Sequence, residues 1–217
     1  MYTPDYLFND TVPADDPNFD IWAWLDHHGP NVTLPAIHAV QDALREKGVK
    51  KFAATGYCFG GLYTLLLSQS NEIKVRISEY PSNVCSRSRQ VGTTAHPSLW
   101  QVPEDILVLR NTSHVPFQMH TAEFDGESLF ESHSMVRRLL MIAVLLTPAL
   151  ANVVDDVMLG HGNWSTLRPY KYGYSHIRYS GVSHGFAVRP ENASDPVQIA
   201  AKERAFVESL KWIQRHL

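Results

Sequence analysis

The sequence predicts an α/β fold in which a mainly parallel sheet is flanked by helices. Apolar residues recur at helical spacing through residues 34–47, and Gly48 follows as a stop signal. A strand candidate over residues 49–55 then runs into Gly56, and a second apolar, helix-compatible stretch covers residues 62–68. Helix, strand, sharp glycine turn and helix in this order are typical of strands joined by helical crossovers, which favours a parallel sheet.

The remaining elements follow the same pattern along the chain. Residues 1–20 are rich in proline and aspartate and predict a loop, and residues 20–28 form a short amphipathic segment that a Gly-Pro pair ends. Three further strands and a closing amphipathic helix are predicted from composition and spacing: residues 90–95, 115–120 and 176–180, then residues 196–216. We expect a turn at Ser180 and Gly181, directly after the last of these strands.

Composition and charge describe one ordinary globular domain over residues 1–217. Hydrophobic residues make up 44% and charged residues 19% of the chain, which excludes a disordered protein. The formal net charge is -3, with lysine and arginine scattered along the chain, and this argues against nucleic acid as a partner. We expect a monomer or a weak homodimer.

Signals for export and for membrane insertion are weak. The opening residues show no charged segment followed by an apolar core, so no signal peptide is predicted. The most apolar stretch, residues 139–150, is shorter than the roughly 20 residues that span a bilayer, and Pro148 interrupts it. A buried or interfacial helix is therefore favoured over a membrane segment. We expect a cytoplasmic protein without a membrane partner.

A candidate nucleophile, Cys58, lies in the glycine turn. A nucleophile can occupy a sharp strand-to-helix turn only where small residues flank it, and Gly56 and Gly60 do so here. At the start of a helix the dipole favours the thiolate form of the cysteine. The backbone N–H of Phe59 would then point to where an oxyanion forms. The alternative is a buried cysteine in a glycine-rich turn with no chemistry.

A histidine and an acid complete the expected constellation. His184 follows a predicted strand near the carboxyl end of the chain, where a general base is expected in this arrangement. The acid should lie between nucleophile and histidine, and Asp125 follows another predicted strand there. Its carboxylate would orient the imidazole and stabilise the imidazolium. Glu123 is the nearest competitor, whereas Asp155 and Asp156 are expected on a solvated helix face.

Three segments carry a resemblance that extends through most of the chain. They are GYCFGG at residues 56–61, AEFDGE at residues 122–127 and SGVSHGFAVRP at residues 180–190. Together they resemble the dienelactone hydrolase family of the α/β-hydrolase fold, nearest its fungal-type members. The nucleophile, acid and base of the family fall on the residues chosen above on chemical grounds: Cys58, Asp125 and His184.

The resemblance also implies an activity. Family members cleave lactones and small carboxylic esters through a Cys-His-Asp triad and a thioester intermediate, with no metal and no organic cofactor. The partner implied is a small-molecule ester or lactone, and Arg189 is the candidate to hold a substrate carboxylate. Tyr57, His96 and Trp100 are further candidates to line the substrate pocket, and plain packing is the alternative for each.

The chain departs from the family pattern in three places. Members begin with several strands that precede the segment PDYLFND, so we expect a sheet that lacks its first strands and an oxyanion hole that lacks its second donor. Residues 76–90 and 134–151 look like inserts, the first polar and the second apolar. An imperfect gene model would explain all three, and long surface loops in a divergent protein are the alternative.

Other functions stay open at this level. A catalytically impaired or non-enzymatic homologue would keep the motifs without a competent oxyanion hole. A serine-type esterase of the same fold is disfavoured because position 58 is cysteine. A cysteine protease is disfavoured because the turn motif and the residue order both fit the α/β-hydrolase pattern.

Overall fold

The computed structural model describes most of the chain, in ranges separated by gaps: 1–13, 16, 18–57, 59–79, 104–124, 147–183, 185–190 and 192–217. The chain divides into two compact units, whose described parts are residues 1–50 and the described residues from 51 to 217. The single domain over residues 1–217 stays a prediction. The predicted strand at residues 90–95 lies outside the described ranges, as do His96 and Trp100.

The first unit contains two helices, α1 (Ile21–His27) and α2 (Pro30–Glu46). The helix predicted over residues 34–47 is confirmed and begins four residues earlier, and the amphipathic segment at residues 20–28 forms α1. Pro30 occupies the first turn of α2. Proline is favourable there because backbone N–H groups of the first turn have no acceptor within the helix, so the N–H that proline lacks is not needed. The Gly-Pro pair therefore starts a helix as well as ending one. Within this unit Trp24 and His28 stack with ring centroids 4.0 Å apart. One face of α2 is buried at helical spacing, through Thr33, Ile37, Gln41 and Leu44.

The second unit is built on a four-stranded parallel sheet whose strands follow one another in chain order. The strands are β1 (Ala53–Gly56), β2 (Val75–Glu79), β3 (Phe117–Phe124) and β4 (Tyr174–Ser183). Its helices are α3 (Phe59–Gln69), α4 (Glu104–Thr112), α5 (Thr147–Leu159) and α6 (Pro196–His216). The predicted α/β class, the parallel sheet and the strands expected near residues 53, 117 and 176 are confirmed.

Different helices cover the two faces of this sheet. The three crossovers step in the same direction, and right-handed crossovers then place their helices on one face. Contacts of α4 with both α3 and α5 agree with this arrangement. The helix α6 covers the other face, where Ala201 and Ala205 belong to a buried cluster with Tyr179 of β4. Further along α6, Trp212 packs against Ala53 of β1.

The closing helix α6 has the bounds that the sequence predicts. The Asp195 carboxylate accepts the N–H of Val197 at 2.8 Å and caps the helix, and Pro196 occupies its first position. Among the described residues, no helix combines the length and the apolar character needed to cross a membrane.

The strand β3 is buried along its first five residues, although three of these are polar. His120 lies on the α6 side, with Nδ1 2.9 Å from the Tyr179 hydroxyl and Nε2 3.0 Å from Gln118 Oε1. Burial, helped by the nearby charge of His176, lowers the pKa of His120 to about 4. The imidazole is therefore neutral at neutral pH. Because an amide oxygen only accepts, Nε2 donates to Gln118 and Nδ1 accepts from Tyr179.

The environment of Asp155 contradicts the expectation that Asp155 and Asp156 share a solvated face. Asp155 Oδ1 accepts the Tyr174 hydroxyl at 2.7 Å, and both of its carboxylate oxygens lie 2.9 Å from His176 Nδ1. His176 Nε2 in turn lies 2.8 Å from Thr121 Oγ1. This network joins α5 to β3 and β4. Spacing along a helix could not decide which of two adjacent aspartates faces the sheet.

The same network sets the charge of Asp155. Burial by itself would raise the pKa of this carboxyl, but hydrogen bonds from His176 and Tyr174 and the charges of His176 and Arg178 outweigh it. The pKa of Asp155 is therefore held below its ordinary value. The stability that this provides is present above the ordinary pKa of an aspartate and is lost as the pH falls through the folded-state pKa.

Two segments expected as inserts belong in part to regular elements. Residues 76–79, the start of the stretch 76–90, form most of β2, which pairs with both β1 and β3. Residues 147–151, the end of the stretch 134–151, form the first turn of α5. A strand is not predicted at residues 76–79 because the stretch is polar and lacks the apolar run typical of a parallel strand. The assignment of the two stretches as inserts stays a prediction. The rest of both stretches lies outside the described residues.

Replacing Asp155 with alanine should lower the free energy of unfolding by about 1–3 kcal/mol at neutral pH, because His176 and Tyr174 lose a shared buried acceptor. Urea denaturation measures this change. The matched control is Asp156→Ala, which we expect to stay within about 0.5 kcal/mol of the unmodified chain. The difference between Asp155→Ala and the unmodified chain should shrink as the pH falls below about 4. Equal effects of the two substitutions at neutral pH would contradict this assignment.

Candidate active site

The carboxyl ends of the four strands meet at one edge of the sheet because the strands are parallel. In open α/β sheets this edge is where ligands bind. Each predicted catalytic residue follows a strand end in the chain: Cys58 after β1, Asp125 after β3 and His184 after β4. These three residues lie outside the described ranges. Their chain neighbours are described: Tyr57, Phe59, Phe124, Ser183 and Gly185.

The turn after β1 has no room for a side chain at Gly56. A Cβ atom there would lie 2.2 Å from the carbonyl oxygen of Gly60 and 2.7 Å from Cγ2 of Thr64. The N–H of Gly60 donates to the carbonyl of Tyr57 at 2.8 Å, and α3 begins at Phe59. Strand, tight turn and helix in this sequence form the setting that a nucleophile elbow requires.

The last paired residues of β3 and β4 are Phe124 and Ser183. Between this pair and the preceding one, β3 has one residue and β4 has three, so β4 carries a bulge. Gly181 lies in the bulge with φ 73°, a conformation that favours glycine. The prediction of a turn at Ser180 and Gly181 is wrong, since both residues lie within β4.

Glu123, on the neighbouring strand β3, forms a hydrogen bond with the bulge. Its Oε2 accepts the N–H of Gly181 at 2.8 Å. The regular ladder is interrupted at a bulge, so a side-chain acceptor can take over the pairing of a backbone donor there. The sequence singled out Glu123 only as a competing acid. A glycine inside a strand pattern is a signal for a bulge and could have indicated this second role.

The turn after β4 is tight and is anchored in the core. The carbonyl of Gly185 accepts the N–H groups of Val188 at 3.0 Å and Arg189 at 2.7 Å, and Gly185 has φ 85°. Phe186 is only 1% exposed and belongs to the buried cluster beneath α6. Position 184 therefore stands in the chain between a strand end and a turn that a buried aromatic residue fixes.

The register shows which strand ends lie side by side. β3 and β4 are neighbours, so the chain neighbours of Asp125 and His184 come together at the pair Phe124–Ser183. β1 lies two strands away from β3. Gly56 of β1 pairs with Ser78 of β2, which pairs with Met119 of β3. β3 thus continues five residues beyond the level of Gly56. The structure places the acid and base candidates after adjoining strands, and the nucleophile candidate after a more distant one.

Three other predicted site residues lie in the described part. Tyr57 is half-buried in the turn after β1, and Arg189 is exposed beyond the turn after β4. Phe59 is the first residue of α3, and its ring packs against Tyr63 with centroids 5.0 Å apart. Their roles in substrate binding and oxyanion stabilisation stay predictions. Within the described ranges, no group of three or more His, Cys, Asp and Glu side chains could hold a metal ion.

Two cavities in the described part, each of about 420 Å³, are lined by residues other than those of the turn after β1. One lies at the opposite, amino edge of the sheet, where Ser113 and His114 precede β3 and Tyr172 precedes β4. The other lies between Ala187 and the first half of α6. Neither cavity therefore identifies where a substrate would bind at the carboxyl edge of the sheet.

Substituting Gly56 with alanine should lower the free energy of unfolding by about 3 kcal/mol, because the backbone of Gly60 must move to accept the added methyl group. Urea denaturation measures this loss. Thr55→Ala, an exposed position on the same strand, is the control and should change the stability by less than about 1 kcal/mol. An alanine variant as stable as the unmodified chain would show that this turn is not sterically closed.

Comparison with known proteins agrees with this arrangement. A model of the dienelactone hydrolase family matches residues 2–131, which is more than half of the chain. Hydrolase pyvD of Aspergillus violaceofuscus is 25% identical over 216 residues, covering 99% of this chain and 68% of that protein. Hydrolase tropI of Talaromyces stipitatus is 25% identical over 224 residues, covering 99% of this chain and 69% of that protein.

A solved structure from Klebsiella pneumoniae, assigned as a dienelactone hydrolase, shares the fold. It superposes with a TM-score of 0.55 at 15% sequence identity, covering 98% of this chain and 74% of that chain. At this identity the likeness supports the α/β-hydrolase fold alone. Together with the family match, it leads to one assignment: the chain belongs to the dienelactone hydrolase family and is an ester or lactone hydrolase.

Proposed function

We propose that this hydrolase cleaves a lactone or small carboxylic ester with Cys58 as nucleophile, His184 as general base and Asp125 as the acid that orients the base. The reaction would pass through a thioester between the Cys58 sulfur and the acyl group of the substrate. Besides the substrate, only groups of the protein and water would take part.

The closed turn at Gly56 is the observation that supports the proposal most strongly. The backbone of Gly60 approaches Gly56 so closely that only glycine fits, and Cys58 lies between these two residues in the chain. A buried structural cysteine needs no such turn, whereas an exposed nucleophile at the start of a helix does. The pairing of Phe124 with Ser183, directly before Asp125 and His184 in the chain, gives independent support.

The chemistry would proceed in two halves. His184 takes the thiol proton, and the sulfur of Cys58 attacks the carbonyl carbon of the substrate. The N–H of Phe59 would donate to the tetrahedral oxyanion, which collapses and expels the alkoxide as His184 returns the proton. Water, deprotonated by His184, then attacks the thioester and releases the carboxylic acid and the free thiol.

Substrate recognition would depend on the residues around the two turns. Tyr57 is half-buried beside the proposed nucleophile in the chain, and its ring would pack against the acyl part of the substrate. The exposed guanidinium of Arg189 would pair with a substrate carboxylate, because a planar fork of donors suits that group. A substrate that carries a carboxylate besides the bond to be cleaved is therefore favoured.

Changing Cys58 to alanine should reduce the hydrolysis of p-nitrophenyl acetate and of dienelactone by about 10⁴-fold or more, because the nucleophile is lost. The readout is the initial rate, together with the mass of an acetylated protein trapped by acid quenching. Cys85→Ala is the matched control and should keep both the rate and the trapped acetyl group. Equal rates for the unmodified chain and Cys58→Ala would exclude this mechanism and leave a non-catalytic homologue or another nucleophile.

Changing Asp125 to asparagine should lower kcat by about 10²–10⁴-fold, because the imidazole loses the carboxylate that fixes its tautomer and stabilises its cation. Steady-state kinetics with p-nitrophenyl acetate measure this, and Glu123→Gln is the control for the competing acid. If Glu123→Gln instead carried the large loss, the acid of the triad would be Glu123.

A further inference from the structure

The strands that lead to the proposed acid and base are joined by one side-chain hydrogen bond close to their ends. Glu123 on β3 accepts the N–H of Gly181 on β4 at 2.8 Å. Asp125 comes two residues after Glu123 in the chain, and His184 comes three residues after Gly181. The bond therefore lies close in the chain to both proposed catalytic positions, just before the last pair of the ladder, Phe124–Ser183.

The bond acts at the one irregular point of the β3–β4 ladder. Three residues of β4 stand opposite one residue of β3 there, and the ladder resumes with the pair Phe124–Ser183. A regular ladder fixes its own register, but a bulge can be accommodated at different places along a strand. Each residue of slip moves a strand end by about 3.3 Å. Something must therefore hold the bulge at Gly181.

On the side away from β3, Gly181 faces the start of α6. A Cβ atom at Gly181 would lie 3.0 Å from Cγ1 of Val197 in α6, and φ is 73°. A side chain added at position 181 would therefore press on α6, and the carboxylate of Glu123 accepts the Gly181 N–H from β3. Phe186, buried in the cluster beneath α6, anchors the chain beyond position 184.

We propose that Glu123 is a positioning residue for the base, whose carboxylate oxygen holds the β4 bulge and so fixes the point at which His184 leaves the strand. This inference rests on the proposed function. Both Glu123 and Gly181 are exposed, so water can replace the hydrogen bond at little cost to folding. Loss of the Glu123 carboxylate should therefore affect the geometry of the site more than the stability of the fold. A displacement of a catalytic group by about 1 Å can lower the rate about 10²-fold.

The test compares two substitutions of similar size, Glu123→Gln and Glu123→Met, in the full chain with p-nitrophenyl acetate as substrate. The amide oxygen of glutamine still accepts the N–H of Gly181, whereas methionine offers no strong acceptor. We expect Glu123→Met to lower kcat about tenfold with little change in KM, and Glu123→Gln to stay within about twofold of the unmodified chain. Glu203→Ala, which removes an exposed carboxylate from α6, is the control and should change neither constant.

The pH dependence separates positioning from a direct role of the charge. If Glu123 acts through the hydrogen bond, the midpoint of the kcat/KM profile should be the same for Glu123→Gln and the unmodified chain. Equal loss in Glu123→Gln and Glu123→Met, or a shifted midpoint in Glu123→Gln, would overturn the proposal in favour of a charge effect. Full activity in Glu123→Met would overturn it outright.

Two further measurements keep this test separate from that of the proposed function. Urea denaturation should give the same midpoint for both Glu123 variants, and a large fall confined to Glu123→Met would reassign the residue to folding. Cys58→Ala is assayed in parallel. If Cys58→Ala is as active as the unmodified chain, the triad fails; if Cys58→Ala is inactive and Glu123→Met is fully active, only the positioning role fails.

Discussion

β3 is the strand on which the second unit depends, because its buried part has polar side chains directed to both layers of helices. Its first five residues are all buried, and three of them carry groups that need hydrogen-bond partners. His120 finds its partners on the α6 side and Thr121 finds its partner on the α5 side. The partners of both residues are side chains of β3 and β4, so these buried groups are satisfied only when the two strands pair in the observed register.

The two buried networks have opposite electrostatic character. On the α6 side His120 is neutral, with a pKa lowered to about 4 by burial, whereas on the α5 side Asp155 is held ionised by His176 and Tyr174. The nearby charge of His176 adds to burial in lowering the pKa of His120. The core of this sheet is thus assembled around one anion and one neutral histidine, and acid disturbs both arrangements in the same direction.

The elements that could be predicted from the sequence are those whose signals are local. The turn at Gly56 can be predicted because a sharp strand-to-helix turn needs glycine at fixed positions. The bounds of α6 can be predicted because an aspartate cap and a proline mark its start. The strand β2 cannot be predicted in this way because most of it lies in the polar stretch 76–90, and its pairing with β1 and β3 joins residues far apart in the chain.

The sequence leads to candidate site residues but does not show which contacts support the strands that precede them. Two features of the sequence indicate the three candidates: the glycine turn, and the order of nucleophile, acid and base along the chain. The role of Glu123 depends on a bulge in another strand, and the role of Asp155 depends on which helix face meets the sheet. Both roles depend on contacts between residues that are far apart in the chain, so they cannot be predicted from spacing along the sequence.

The helix α6 crosses the sheet from the carboxyl end of β4 to the amino end of β1. Its first half packs against β4 through Ala201 and Ala205, and its last turns cover β1 through Trp212, with the Lys51 ammonium donating to the carbonyl of Leu217 at 2.6 Å. Helix ends fray before helix interiors, so local opening of α6 starts over β1. In such a partly opened state the amino end of β1 loses its cover, while the packing of α6 on the carboxyl end of β4 stays in place.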